Sequence, residues 1–505
     1  MMAGTIQLLL QPLGQRLTVP RGTALQEVLF AQGVEFPCGG RGRCKGCRVR
    51  VVAGQLPVTP EDRRLLSPAQ LAEGWRLSCR ARAEADLTLE LAQWEAAILG
   101  DNLRFEFTPR DGLGVAVDLG TTTLVAQLLD LRTGNVLAVR SALNAQARHG
   151  ADIMSRIEFA LIGDGRERLT RTVREQIGGL LTELLGAAPP GQRLADVVLV
   201  GNTAMHHLFC GLSVAPLAHH PFEPEDDGLK VFTADELGWP VAGEARVQFL
   251  PCLGGFVGSD ILAGILATGL HQRERPGLLV DLGTNGEIVV GNREQLLCAS
   301  TAAGPAFEGA RISMGMRAAT GAISAVMLRD GALQATVLGG GEPRGICGSG
   351  LVDAVACGLE LGRVLPSGRI AGGDELPVAG AVRLTQWDIR ELQLAKGAIA
   401  AGIRLLIERR GARPEDLACV WLAGAFGNYI SRASARRIGL LDFPADQVEP
   451  AGNTALRGAK LALCGPTPRA LDFADLRARV RHISLKDDPR FQEAYVEAMG
   501  FPTAG

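Results

Sequence analysis

The sequence predicts two unlike parts, a small α+β head and, behind it, a much larger α/β body that is internally duplicated. Three observations carry that expectation. Four of the eleven cysteines fall within the first 80 residues. The stretch Gly114-Val-Ala-Val-Asp-Leu-Gly-Thr-Thr-Thr-Leu124 has an echo about 160 residues on, Gly277-Leu-Leu-Val-Asp-Leu-Gly-Thr-Asn-Gly-Glu287. At 505 residues with 47% hydrophobic and 21% charged side chains, the chain has core enough for two to four globular domains. The divisions predicted are a head over 1–94, a linker over 95–113, and two halves of the body over 114–270 and 271–505.

Composition also excludes. A net charge of −2 argues against nucleic acid or an anionic membrane as the main partner, and 5% aromatics leave little for base stacking. No apolar run reaches membrane-spanning length, and the N-terminus lacks a basic-then-apolar signal, so a cytoplasmic location is expected. Seven cysteines (Cys210, Cys252, Cys298, Cys347, Cys357, Cys419 and Cys464) are scattered singly, as buried thiols are in a reducing compartment.

In the head, alternation over 5–10 and 15–19 predicts a hairpin around Pro12-Leu-Gly-Gln15. Thr23 is the expected cap of a helix over 24–31 that stops at Gly33. Further strands are expected over 49–52 and 86–91, with one or two helices over 61–73. Between them lie Cys38, Cys44 and Cys47, spaced Cys-x5-Cys-x2-Cys, and Cys79 follows after 31 residues. Three thiolates in one Gly-rich loop plus a distant fourth suit a 2Fe–2S cluster. Gly39, Gly40, Gly42 and Gly46 let that loop curl and aim N–H donors at sulfur. Zinc prefers two Cys-x2-Cys pairs, and only one is present. The region resembles the β-grasp ferredoxins, its first gap of five matching the adrenodoxin-like branch. No flavin or dinucleotide module accompanies it, so electrons must come from an external donor, a ferredoxin or a flavin reductase.

The body opens on the first repeated stretch. Each copy is an apolar strand, an Asp, then glycine and hydroxyl residues in a tight turn. Gly120 and Gly283 allow backbone N–H groups close to an anion, while Thr121, Thr122, Thr123, Thr284 and Asn285 add polar donors. Asp118 and Asp281 stand where a hydrated Mg²⁺ between protein and polyphosphate needs carboxylates. Two such loops facing each other describe a clamp for ATP phosphates. Helices are expected over about 151–162 and 166–186, then a strand over 196–200. Asn202 follows at a helix start, either on the phosphate side or as a plain N-cap. His206-His207 and His219-His220 have no Cys, Asp or Glu at ligand spacing, so no metal role is assigned to them. The Gly-rich segments 303–309 and 345–351 could touch phosphate or ribose, or be ordinary tight turns. A buried helix is expected over 393–408. Gly424, Ala425 and Gly427, in the turn after the strand starting at Val420, are the expected adenine surface. Gly452-Asn-Thr-Ala-Leu-Arg-Gly-Ala459 opens a late helix.

This order of loops resembles the ASKHA superfamily of acetate and sugar kinases, chaperone ATPases and actin, over roughly 114–465. The resemblance rests on Asp118-Leu-Gly-Thr, Asp281-Leu-Gly-Thr and Leu422-Ala-Gly-Ala-Phe-Gly427. Joined to a ferredoxin head, and with Gly150-Ala-Asp-Ile-Met-Ser-Arg-Ile157 and Ala303-Gly-Pro-Ala-Phe-Glu-Gly-Ala310, the chain resembles the reductive activators of corrinoid enzymes. That resemblance implies ATP-dependent return of Co(II) to Co(I) on a corrinoid protein of a methyl-transfer or O-demethylation system. It differs in its short linker; members often carry a longer one. A homodimer stays open. The alternatives are an electron carrier with a nucleotide-regulated or degenerate ATPase half, and an activator of another low-potential reductase. A sugar or acyl kinase would leave the iron–sulfur head idle.

Overall fold

The computed structural model describes residues 4–11, 15–31, 42, 47–91, 108–150, 152–189, 191–239, 243–283, 285–309, 311–316, 318, 321–338, 340–427, 430–465 and 473–503. The expectations for Cys38, Cys44, Thr284, the Gly33 stop and the linker up to residue 107 lie outside these residues.

Strand Thr5–Gln11 turns Ile6, Leu8 and Leu10 inward on alternate positions, as a half-buried strand must. It pairs antiparallel with Gln15–Pro20 and parallel with Leu87–Leu91, and Arg48–Ala53 and Trp75–Leu77 complete a five-stranded sheet. Helix Leu25–Ala31 starts one residue later than the spacing suggests. Thr23 does not cap it: its hydroxyl donates to the Pro20 carbonyl at 2.6 Å, and Thr23–Ala24 pair with Arg82–Ala83. The helical region after residue 59 splits in two, Pro60–Leu65 and Pro68–Ala72. Each begins with a capping box, Thr59 with Asp62 and Ser67 with Gln70, followed by proline at the first helical position.

The body has two lobes, each around a six-stranded sheet. In the first lobe the order is Val136–Leu143, Thr123–Asp130, Leu113–Leu119, Leu194–Gly201, Arg246–Phe249, Lys230–Thr233, with the middle strands Leu113–Leu119, Leu194–Gly201 and Arg246–Phe249 parallel. In the second it is Val448–Gly452, Val420–Ala423, Gly277–Leu282, Gly286–Gly291, Leu296–Thr301, Val480–His482. Leu113–Leu119 and Gly277–Leu282 read as unbroken apolar runs because both faces are covered, and only Asp118 and Asp281 escape full burial. Helices Ile153–Ala160, Gly165–Leu185 and Ser259–Thr268 belong to the first lobe's chain segment.

Two helices cross between the lobes, Ser259–Thr268 and Thr454–Cys464. Their backbones touch: a Cβ at Gly458 would lie 2.0 Å from the Ala263 carbonyl oxygen. The head's apolar cluster continues into the body through Val139, with Val125 and Val136 packed against it. The buried helix expected over 393–408 begins seven residues sooner, as Gln386–Arg409. Thr385 and Asp388 form its capping box, and Asp388 also accepts the Ser313 N–H at 2.6 Å. Exposed Trp387 hides the helical pattern of that first turn. Among the described residues no helix is long and apolar enough to cross a membrane.

Candidate functional site

The first loop is drawn tight by its own backbone: the Gly120 N–H donates to the Thr123 carbonyl at 3.1 Å. A Cβ at Gly120 would stand 2.6 Å from that carbonyl oxygen, so no other residue fits there. Behind the loop, Asn144 donates its side-chain N–H to the Gly120 carbonyl at 2.9 Å and its backbone N–H to Thr122 at 2.9 Å. Fully buried Arg156 reaches the Thr121 carbonyl at 2.5 Å and the Gly150 carbonyl at 2.9 Å. Burial pulls its guanidinium down to about 10, which leaves it charged at neutral pH. The carbonyls are thus engaged on one side. Among the described residues the N–H groups of Thr121 and Thr122 have no backbone partner, which suits an anion.

Asn202 turns out to do two jobs. It caps helix Thr203–Cys210 by accepting the Met205 N–H at 3.0 Å, and it donates to the Thr121 hydroxyl at 2.9 Å. The connecting turn is therefore tied to the first loop through a side chain.

In the second loop the Gly283 N–H donates to the Asn285 carbonyl at 3.0 Å. A Cβ at Gly283 would meet nothing nearer than 3.8 Å, so the fold itself does not demand glycine there. The turn carrying Gly424 and Gly427 lies directly on Asp281. Gly424 has φ +80°, and a Cβ on it would come within 2.6 Å of the Asp281 Oδ1. Beside it, Phe426 stacks on Phe307 with ring centroids 4.6 Å apart, which joins the 303–309 segment to this turn. Ala425 lies in the same short helix, Gly424–Gly427.

Asp118 and Asp281 lie near enough that the charge of Asp118 acts on Asp281. Burial pushes Asp118 up to about 6, against a hydrogen bond from Asn453 Nδ2 to its Oδ2 at 2.9 Å. Burial, then Asp118, pushes Asp281 up to about 7. Two further carboxyl groups share the cleft. Asp260 is raised to about 7 by burial and by Asp281, and Glu287 is raised well above its usual range by burial and by Asp260 and Asp281. Among the described residues no three acid, imidazole or thiol groups converge tightly enough to chelate an ion unaided. The two loop aspartates, Asp118 and Asp281, fit a Mg²⁺ that keeps waters and shares phosphate oxygens.

Sequence reasoning missed Asp260, Glu287 and Asn453. For Glu287 a signal was present. A hairpin closed over 283–285 puts Asp281 and Glu287 directly opposite in register, hence on one face. Asn453 and Asp260 reach the cleft only through the helix crossing, which local sequence does not announce.

The glycines of 345–351 answer to packing. A Cβ at Gly348 would lie 1.9 Å from the Phe307 carbonyl oxygen, and one at Gly350 2.2 Å from that of Ile323. His206 and His207 point into the core of the first lobe: His206 bonds the Gly228 carbonyl at 3.1 Å, and His207 that of Thr203 at 2.9 Å. Burial pushes His206 down to about 4, the behaviour of a neutral packing residue.

In the head, Cys47 is buried at the start of strand Arg48–Ala53, and Cys79 is half-buried in the turn Ser78–Arg80. Ser78 ties the two positions together: its hydroxyl donates to the Cys47 carbonyl at 2.7 Å and its N–H to the same oxygen at 3.1 Å. Gly42, at φ +62°, accepts from Arg64 of helix Pro60–Leu65 at 2.7 Å, and a Cβ on it would meet the Glu61 side chain at 2.9 Å. Thiolate chemistry, a Gly-rich loop and a sheltered pair of positions fit an iron–sulfur cluster.

A two-lobed ASKHA body preceded by a ferredoxin-type head is the class that this fold defines. Residues 275–505 match the C-terminal ASKHA domain of RACo, 113–273 the RACo middle region, and 8–84 the 2Fe–2S iron–sulfur cluster binding domain. The chain is 37% identical over 415 residues to the corrinoid activation enzyme RamQ of Eubacterium limosum, covering 76% of this chain and 69% of that one. It is 28% identical over 425 residues to the [Co(II) methylated amine-specific corrinoid protein] reductase of Methanosarcina barkeri, covering 78% and 77%. The solved reductive activator for corrinoid, iron–sulfur protein superposes with a TM-score of 0.69 at 27% identity, over 99% of this chain and 98% of that one. The chain belongs to the family of reductive activators of corrinoid proteins.

Proposed function

We propose that this chain uses ATP to return an inactivated Co(II) corrinoid protein of a methyl-transfer system to Co(I), one electron at a time. The observation that carries the reading is the union, in one chain, of a cysteine-bearing ferredoxin head with two Asp-Gly hairpin loops whose aspartates lie within reach of each other's charge. Cys38, Cys44, Cys47 and Cys79 would hold the 2Fe–2S cluster, which supplies the single electron when bound. An external ferredoxin or flavin reductase would refill it.

Energetics give ATP its role. Plant-type ferredoxin clusters sit at roughly −400 mV, and about 59 mV per electron is a tenfold change in equilibrium. Co(II) corrinoids are expected to be harder to reduce than that, so simple transfer stalls. A nucleotide helps only by binding two states of the complex differently. Gly120, Thr121, Thr122 and Thr123 of one lobe and Gly283, Thr284 and Asn285 of the other would grip the phosphates. Asp118 and Asp281 would orient hydrated Mg²⁺, whose charge also relieves their crowding. Gly424, Ala425 and Gly427 would receive the adenine, and Asn202 would steady Thr121.

The test uses the intact chain, a fixed-potential reductant and a Co(II) corrinoid protein. Co(I) absorbance should appear only with ATP and Mg²⁺. Full Co(I) yield without nucleotide would reduce the body to a docking platform and favour a plain electron carrier.

A further inference from the structure

We propose that Asp260 is a catalytic residue of ATP cleavage, accepting a hydrogen bond from the attacking water and aligning it on the γ-phosphate. The inference rests on the nucleotide reading of the cleft. Asp260 is the second residue of helix Ser259–Thr268, and its position is fixed to the first phosphate loop through the connecting turn. A Cβ at Gly258 would stand 2.3 Å from the Gly201 carbonyl oxygen and 2.4 Å from the Asn202 Cα, so the two segments lie in backbone contact. The Ser259 hydroxyl bonds both the N–H and the carbonyl of Gly201 at 3.1 Å. Asn202, next in that turn, holds the Thr121 hydroxyl. A helix end so braced holds a carboxylate to the precision that water alignment requires.

The four cleft carboxylates are not equivalent. Asp118 is engaged by Asn453, Glu287 accepts from the Ser300 hydroxyl at 3.3 Å, and Asp281 lies under Gly424. Asp118 and Asp281 also adjoin the loop glycines, which puts them at the phosphates and the cation. Asp260 adjoins neither loop. Its Oδ1 accepts the Ile261 N–H at 2.8 Å, and its only hydrogen bonds among the described residues are to backbone N–H groups of its own helix start. The residue as a whole is not fully closed off, and the charges of Asp281 and Asp118 act on its carboxyl group.

In the step, the water oxygen forms a bond to the γ-phosphorus. The bond from that phosphorus to the β,γ-bridging oxygen breaks, and its electron pair leaves on ADP. One water proton stays on the released phosphate and the other passes to solvent. Asp260 is a carboxylate at both ends of the step.

Asp260→Asn in the full chain keeps the side chain's size and its bond to Ile261. Expected are ATP affinity within about threefold of the parent, an unchanged Mg²⁺ requirement, and single-turnover cleavage slowed at least about 100-fold. Asp260→Glu should recover part of the rate. Cleavage at the parental rate in Asp260→Asn would overturn the assignment. So would lost nucleotide affinity or a raised Mg²⁺ requirement, since either would make Asp260 a binding or cation-holding group. A parent chain that binds no ATP would instead remove the nucleotide reading itself.

Discussion

The two Asp-Gly loops look alike in sequence and are built differently. The first is propped from behind by Asn144, Arg156 and Asn202, and its aspartate is held across the lobes by Asn453. The second has no comparable brace among the described residues, and its aspartate faces a second acid, Glu287, across the hairpin. In the first hairpin the residue opposite Asp118 is Val125. Duplication thus preserved the loop and the acid, while the surroundings diverged into a rigid half and a charge-loaded half. A rigid loop suits a fixed anchor for phosphate. A crowded, weakly braced one suits the half whose state changes when cation and nucleotide arrive.

The largest effects should come from the aspartates common to both loops. Asp118→Ala and Asp281→Ala should each lower ATP turnover by about a thousandfold or more, with the visible iron–sulfur spectrum unchanged. Phosphate-release assays on the purified full chain measure this. Turnover at the parental rate in either variant would break the pairing of the loops.

The glycines separate the two halves next. Gly120→Ala should weaken the fold and nucleotide binding together, because its Cβ has no room beside the Thr123 carbonyl. Gly283→Ala should leave the melting temperature within about a degree or two, and lower nucleotide affinity severalfold by crowding the ligand alone. Calorimetric melting and nucleotide titration of the two variants test the contrast. Equal melting losses would show the second loop to be as tightly built as the first.

The braces come third. Arg156→Met removes donors from the Thr121 and Gly150 carbonyls in a fully buried setting and should cost about 2–4 kcal/mol. Ser300→Ala removes one 3.3 Å bond to Glu287 and should cost under about 1 kcal/mol. Denaturant unfolding of the body gives both values.

How legible all this was in the sequence depended on range. The strands entering both loops were legible because fully covered strands are long apolar runs, and Asp118 and Asp281 interrupt those runs at one place each. The head's hairpin and sheet followed from alternation. Thr23 misled because a hydroxyl before a helix reads as a cap, whereas pairing with residues 82–83 had already taken that backbone. Arg156 sat inside a motif that was recognised, but its task, holding a loop carbonyl 35 residues away, belongs to packing. Asn453 lies 335 residues from Asp118, and only the crossing of helices Ser259–Thr268 and Thr454–Cys464 brings them together.

The smallest expected effect is the most direct probe of the charge-loaded half. Asp118, Asp260 and Asp281 sit at about 6, 7 and 7 in the fold, and Glu287 is raised as well, whereas unfolded carboxyls titrate near 4. The charges acting on these groups are chiefly one another's; Asn453 and Ser300 contribute neutral hydrogen bonds. A raised carboxyl means that the folded state binds more protons than the unfolded one between about pH 4 and 7, so stability falls as pH rises through that window. Without ligand, the body should therefore melt a few degrees lower at pH 8 than at pH 5.5. Asp281→Asn should flatten that slope by removing the charge that acts on both Asp260 and Glu287. Adding Mg²⁺ and a non-hydrolysable nucleotide should restore the melting temperature at pH 8 more than at pH 5.5, because the cation binds the deprotonated form. Scanning calorimetry of parent and variant at the two pH values decides it. A parental slope in Asp281→Asn would mean that the pH dependence arises elsewhere, and that the second loop is not the sensitive half.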